Sequence, residues 1–97
     1  MMSGTQISSA SVDDPRRKKL LFRAWHRGMR EMDLILGPFA DENIATMDGA
    51  TLDHFEELMH VNDQELYQWV LGEKSVPEEW DGPLLDSIIT HRRNRIG

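Results

Sequence analysis

The sequence predicts an all-α protein, a compact bundle of about five short helices. Apolar residues recur three or four positions apart in most segments, as they do on the buried side of an amphipathic helix. No stretch alternates apolar and polar residues with the period of two that is typical of a strand. The length of 97 residues and the hydrophobic content of 39% suit one domain with a single modest core.

Helix-start patterns divide the chain into elements. Asp14 as N-cap and Pro15 at the first helical position predict a first helix that runs to about His26. A second helix should follow from Met29, and Pro38 predicts a kink or an interruption in it, because proline cannot donate the helical hydrogen bond. The other predicted boundaries are Asp48 as the cap of a third helix, Asn62 as the capping-box start of a fourth, Gly72 as its end, a loop over 73–82, and a fifth helix that starts at 81–83.

The predicted core follows from the same periodicity. It consists of Leu20, Leu21, Ala24, Trp25, Met32, Ile35, Leu36, Phe39, Ile44, Met47, Leu52, Phe55, Leu58, Met59, Leu66, Trp69, Val70, Leu85, Ile88 and Ile89. Residues 1–13 have little to bury, so we predict a disordered N-terminal tail there and a single helical domain over 14–97.

Composition excludes several kinds of site. The sequence has no cysteine, which rules out disulfides, thiolate metal ligands and a cysteine nucleophile. No lysine or arginine precedes Arg16, so neither a secretion signal nor a mitochondrial presequence is predicted. A cytoplasmic location is expected, and a processed organellar chain, which would have the same features, stays open as the alternative. The net charge of −6 is unevenly spread: residues 16–30 hold seven basic residues and no acid, whereas residues 31–91 hold fifteen acids and one lysine. Such a dipolar chain should dock on a partner in a preferred orientation.

The segment between the first two predicted helices is the candidate functional site. A glycine within a helical pattern costs about 1 kcal/mol relative to alanine, and Gly28 stands among Arg27, Arg30 and Glu31. Two interpretations remain open on spacing alone. The segment is either a simple turn whose charges face water, or a corner where the backbone comes close to a partner.

The residues around this corner resemble the signature of a known family. The pattern is Arg-Gly-x-x-Glu-x-Asp, here Arg27, Gly28, Glu31 and Asp33, preceded by Arg23 and Trp25. It is similar to the motif of the succinate dehydrogenase assembly factors, small helical proteins that promote covalent attachment of FAD. Further matching positions are Asp48, Phe55, Leu58, Asn62, Asp63, Leu66 and Trp69. The resemblance covers the chain from about Arg16 to the end.

This resemblance implies a role without catalysis by the chain itself. The client would be the flavoprotein subunit of succinate dehydrogenase or of fumarate reductase, whose own histidine bonds to the flavin ring. The chain would bind no FAD stably, act on the FAD of the client, and be a monomer when free. The expected partner-binding residues are Arg23, Arg27, Gly28, Met29, Arg30, Glu31 and Asp33. Arg27 and Arg30 would donate to client acceptors, Glu31 would either pair with Arg27 or accept from the client, and Asp33 would hold the corner.

Other functions are weaker interpretations of the sequence. An antitoxin-like or other interaction module would use the same surface. Glu57 and His60 have the Glu-x-x-His spacing of di-iron bundles, but no second copy exists, so a water-facing side of the helix is favoured. Asp86, Ser87 and His91 lack the turn that a hydrolase nucleophile needs and are predicted to form a solvent-facing stripe. The basic runs 16–19 and 91–95 could bind nucleic acid only if the acidic middle of the chain turned away.

Overall fold

The structure, a computed structural model, describes residues 14–96, and the side chains of residues 14–95. The predicted tail 1–13 therefore lies outside the described residues. The helices are α1 (Pro15–Trp25), α2 (Arg30–Asn43), α3 (Gly49–Leu58), α4 (Asp63–Leu71) and α5 (Pro83–Ile96), and a short 3-10 turn (Ile44–Thr46) follows α2. No strand occurs in this part of the chain, and the all-α prediction is confirmed. Across residues 14–96 no helix reaches the length and hydropathy of a membrane span.

The helix ends follow local hydrogen-bonding chemistry, as predicted. The carboxylate of Asp14 accepts from the Arg16 N–H at 2.9 Å. The carboxylate of Asp48 accepts from the Thr51 N–H, and this bond holds the pKa of Asp48 below its ordinary value. The Asn62 side chain caps α4, which ends at Gly72 with a φ of 78°. Glycine adopts this left-handed conformation without the steric cost that a Cβ adds.

Helix α2 continues through Pro38, so the predicted interruption is wrong. Both Gly37 and Pro38 are buried, and the ring of Trp25 from α1 lies directly on the backbone of Gly37. The indole Nε1 donates to a carboxylate oxygen of Asp41 at 3.2 Å. Packing between α1 and α2 thus stabilises a helix that loses one internal hydrogen bond at the proline.

Replacing Gly37 with alanine should destabilise the bundle. A Cβ at this position would lie 2.3 Å from Trp25 Cδ2, so the ring would have to move and weaken its bond to Asp41. Overpacking of this kind typically costs 1–3 kcal/mol, and the better helix propensity of alanine returns about 1 kcal/mol. Because three atoms of the Trp25 ring lie within 2.6 Å of that Cβ, we take the upper end of the overpacking cost and expect a net loss of about 2 kcal/mol in chemical denaturation. Gly49→Ala is the matched control, because nothing lies within 4 Å of a Cβ there; equal stability of both variants would contradict the packing argument.

The core lies between all five helices and matches the predicted apolar positions closely. Every predicted core residue is buried except Trp25 and Ile89, which are partly buried, and the core also takes in Ala40 and Leu84. Among the methionines, Met32, Met47 and Met59 are buried, whereas Met29 is only partly buried against the core. The two large apolar side chains in the described residues that face solvent are Phe22 and Leu34.

Some of the basic residues that make the charge distribution asymmetric form ion pairs and hydrogen bonds within the molecule. Arg16 on α1 pairs with Asp53 at 2.7 Å and donates from Nε to Glu56 at 2.9 Å, both on α3. The hydrogen bonds to Asp53 and to Glu56 raise the pKa of Arg16 above its ordinary value. Arg17 donates to the carbonyl oxygen of Ile44 at 2.6 Å. Two of the basic residues near the start of α1 therefore bind α3 and the 3-10 turn of the same chain rather than a partner.

Candidate docking site

The corner between α1 and α2 brings a bare stretch of backbone to the surface. Helix α1 ends at Trp25, and α2 begins at Arg30. Gly28 lies between them, is exposed, and has a φ of 98°. This conformation is rarely adopted by residues with a Cβ. The turn therefore requires glycine for its own geometry, and it leaves the Gly28 backbone open to the outside.

The guanidinium of Arg27 links this corner to the connection between α3 and α4. Its Nε donates to Asp63 at 2.8 Å, and its two terminal nitrogens donate to the carbonyl oxygens of Met59 at 2.6 Å and Val61 at 2.8 Å. The side chain is only 7% exposed. One planar guanidinium group thus donates to three acceptors at the α3–α4 connection. Arginine can make these bonds and lysine cannot, because a single ammonium group lacks this planar set of donors.

This geometry changes the role predicted for Arg27. Its guanidinium faces acceptors of its own chain, so donation by Arg27 to a client does not fit the structure. It pairs with Asp63, so the alternative that Glu31 pairs with Arg27 is wrong, and the alternative that Glu31 accepts from the client stays a prediction. The backbone N–H of Arg27 donates to the carboxylate of Asp33. This contact fits the predicted role of Asp33 at the corner, whereas its part in binding a partner stays a prediction.

The other predicted docking residues lie around the corner with different exposure. Gly28, Arg30 and Glu31 are exposed, and Arg23 and Met29 are intermediate. Within residues 14–96, the side chains of Arg30 and Glu31 have no hydrogen-bond or ion-pair partner. The structure therefore presents an exposed glycine flanked by an unpaired cation and an unpaired anion on a fixed support.

Sequence reasoning missed His26, Met59 and His60, which lie with the predicted residues Arg23 and Arg27 around a cleft beside this corner. A cleft of about 320 Å³ is lined by Arg23, His26, Arg27, Met59 and His60. His26 stacks on the exposed ring of Phe22, with centroids 4.0 Å apart. Residue 27 contacts residues 59–63, which lie more than thirty positions later in the sequence, and no local sequence pattern predicts this contact.

The structure offers little support for the metal and hydrolase interpretations. In the described part of the chain, no cluster of three His, Asp or Glu side chains could hold a metal ion. Glu57 lies 3.4 Å from His54 rather than beside His60. His91 was predicted to face solvent, and this is wrong: its side chain is 13% exposed and packs edge-on against Phe39.

Part of each basic run is engaged within the chain. Arg16 pairs with Asp53 and Glu56, and Arg17 donates to the carbonyl oxygen of Ile44. In the second run, His91 Nε2 lies 3.0 Å from a carboxylate oxygen of Glu42. These internal contacts argue against a continuous nucleic-acid surface over residues 16–19 and 91–95.

Comparisons with known proteins place most of the chain in one family. The model of the family described as "Flavinator of succinate dehydrogenase" matches residues 18–92. The "FAD assembly factor SdhE" of Acetobacter pasteurianus is 38% identical over 98% of this chain and 89% of its own length. The mitochondrial "Succinate dehydrogenase assembly factor 2" of Dictyostelium discoideum is 37% identical over 80% of this chain.

The mitochondrial relatives are longer proteins than this chain. The match covers 55% of the Dictyostelium protein and 53% of the Danio rerio assembly factor, which is 31% identical. No solved structure matches the chain. The family model covers both the corner at residues 27–31 and the residues that fasten it. This chain belongs to the family of succinate dehydrogenase flavinators.

Proposed function

We propose that this chain promotes covalent attachment of FAD to the flavoprotein subunit of succinate dehydrogenase, or of fumarate reductase, by docking its Gly28 corner on that subunit. The observation that carries the proposal is the exposed, unpaired set of Gly28, Arg30 and Glu31 on a support fixed by Arg27. The names of the relatives, an FAD assembly factor and succinate dehydrogenase assembly factors, support the client and the reaction.

In this proposal the chain acts by binding and contributes no catalytic group. The bond forms between a client histidine and the client's own FAD, and this chain holds no FAD stably. A binder shifts a conformational equilibrium only by its difference in affinity for the two states. Raising a competent client conformation from 1% to half of the population requires about 2.7 kcal/mol. One charge-assisted hydrogen bond from Arg30 and one to Glu31 are of the right size to supply it.

Because the corner is held in place before binding, the two contacts of Arg30 and Glu31 could be enough to shift the conformation of the client. A docking surface that must order itself on binding loses part of its interaction energy to that ordering. Here the corner is already held by the Arg27 network on one side and by Asp33 on the other. Glu31, which is free of Arg27, is available to accept from a client N–H.

The test is reconstitution with purified components. The client subunit is prepared without covalent flavin, mixed with FAD, and incubated with and without this chain. We expect the yield of covalent flavin, read as fluorescence of the denatured subunit on a gel, to rise at least tenfold in the presence of the chain. Equal yields in both mixtures, or a tight partner that is not a flavoprotein, would contradict the proposal.

A further inference from the structure

A second surface next to the corner has features of a binding groove. It lies between α2, α4 and α5 and has a volume of about 310 Å³. This is near the lower end of the range for sites that take a small ligand or one or two side chains. The lining residues are Glu31, Leu34, Ile35, Tyr67, Arg92 and Arg95. Because Glu31 belongs to both surfaces, the groove is continuous with the corner.

The floor of the groove is apolar and open. Leu34 is 50% exposed, although it lies on a helix whose neighbouring residues Ile35 and Leu36 are buried. Tyr67 packs partly against the core and presents the rest of its ring to the groove. Leu34 follows Glu31 by three positions, so it lies one helical turn beyond the corner on the same side of α2. An apolar side chain entering here would cover surface that now contacts water.

The rim of the groove carries unmatched positive charge. Neither Arg92 nor Arg95 has a hydrogen-bond or ion-pair partner within residues 14–96. By contrast, the guanidinium groups of Arg16 and Arg27 form ion pairs with carboxylates of the same chain. Two guanidinium groups against the single carboxylate of Glu31 leave the groove with a net positive charge, and arginine's planar fork binds carboxylates in a two-point geometry.

From these features we infer that the groove binds a segment of the flavoprotein client that carries an apolar side chain flanked by a carboxylate. The inference rests on the proposed function and extends it, since the same client would span the corner and the groove. The apolar side chain contacts Leu34, Ile35 and Tyr67, and the carboxylate binds Arg92 and Arg95. A nucleic acid is a poorer occupant, because the floor offers no phosphate contact and Glu31 repels a polyanion.

The test compares two double charge reversals with the same change in net charge. Arg92→Glu/Arg95→Glu alters the rim of the groove, whereas Lys18→Glu/Lys19→Glu alters exposed residues at the start of α1. Affinity of the full chain for the purified, flavin-free client subunit is measured by calorimetry. We expect the groove variant to bind at least tenfold more weakly and the α1 variant to stay within threefold, because a general loss of steering would affect both.

Two further groove variants and one control variant complete the test. Arg92→Gln/Arg95→Gln removes the charges with less effect on the helix end, and should weaken binding by at least threefold with an unchanged melting temperature. Leu34→Ser should weaken binding about fivefold, whereas Phe22→Ser, which removes the other exposed apolar side chain, should stay within twofold.

The outcomes separate this inference from the proposed function. If the groove variants bind like the unchanged chain while Gly28→Arg does not bind, the groove inference is overturned and the function stands. If the unchanged chain does not bind the client, both fail. Loss of self-association or of nucleic-acid binding in the groove variants, with client affinity retained, would also overturn the inference.

Discussion

Replacing Arg27 with leucine should lower the free energy of unfolding by about 3 kcal/mol, a large share of the stability of a domain this size. The substitution leaves the Asp63 carboxylate and the carbonyl oxygens of Met59 and Val61 without their donor. Removing one partner of a buried pair typically costs 3–5 kcal/mol. We take the lower end because the Asp63 side chain is 21% exposed and is partly solvated.

The measurement is chemical denaturation followed by circular dichroism, with Lys19→Leu as the control. Lys19 lies on α1, the helix that precedes the corner, is exposed, and has no ion pair or side-chain hydrogen bond to a described residue, so its loss should change stability by less than about 0.5 kcal/mol. Arg27→Lys should fall between the two, because one ammonium group cannot reach three acceptors in a plane. Equal stability of Arg27→Leu and Lys19→Leu would show that the network contributes nothing.

This prediction affects how functional variants are interpreted. A change at Arg27 that abolishes flavin attachment would not by itself identify a client contact, because the corner loses its support at the same time. Residues whose side chains are not bound within the described chain, such as Arg30 and Glu31, are the informative positions for client contact.

The second large effect concerns Gly28, where arginine should remove client binding while the fold persists. Outside the turn itself, the atom nearest to a Cβ at Gly28 would be Asp63 Oδ2 at 3.9 Å, an ordinary van der Waals separation. The internal cost is therefore the backbone conformation, with φ at 98°, about 1–2 kcal/mol for a residue with a side chain. The added side chain would extend from the corner into the space that the client backbone should occupy.

Gly72→Arg is the matched control for this experiment. Gly72 also has a positive φ, of 78°, with nothing within 4 Å of a Cβ, and it lies at the opposite end of α4 from Asp63. Both variants should lose similar stability, but only Gly28→Arg should lose covalent flavin attachment, at least tenfold, when assayed well below both melting temperatures. Equal flavin yields with the two variants would remove the corner from the mechanism.

Local chemistry explains why much of the fold was predictable. The caps at Asp14, Asp48 and Asn62 and the end at Gly72 depend on residues within a few positions of each other. The core was predictable for a related reason, since a 3.6-residue period in apolar side chains identifies the buried side of each helix. The predicted interruption at Pro38 was wrong because the packing of Trp25 against α2, a contact between two helices, offsets the cost of a proline within the helix.

The candidate site was only partly predictable for the same physical reason. Position and exposure of Gly28, Arg30 and Glu31 followed from the pattern at the corner. The partner of Arg27 did not, because Asp63 lies 36 positions away in sequence and many other carboxylates were equally plausible. The groove was missed because it forms only when α2, α4 and α5 come together.

The most direct measurement of corner docking uses the absence of cysteine in the sequence. Single cysteines are introduced as Arg30→Cys and Ala50→Cys, both at exposed positions, with Ala50 near the far end of α2 beside Asn43. The alkylation rate of each is measured with and without saturating client subunit. If the corner is the docking surface, the client slows alkylation at position 30 at least tenfold and leaves position 50 unchanged. Protection at position 50 with none at position 30 would contradict it.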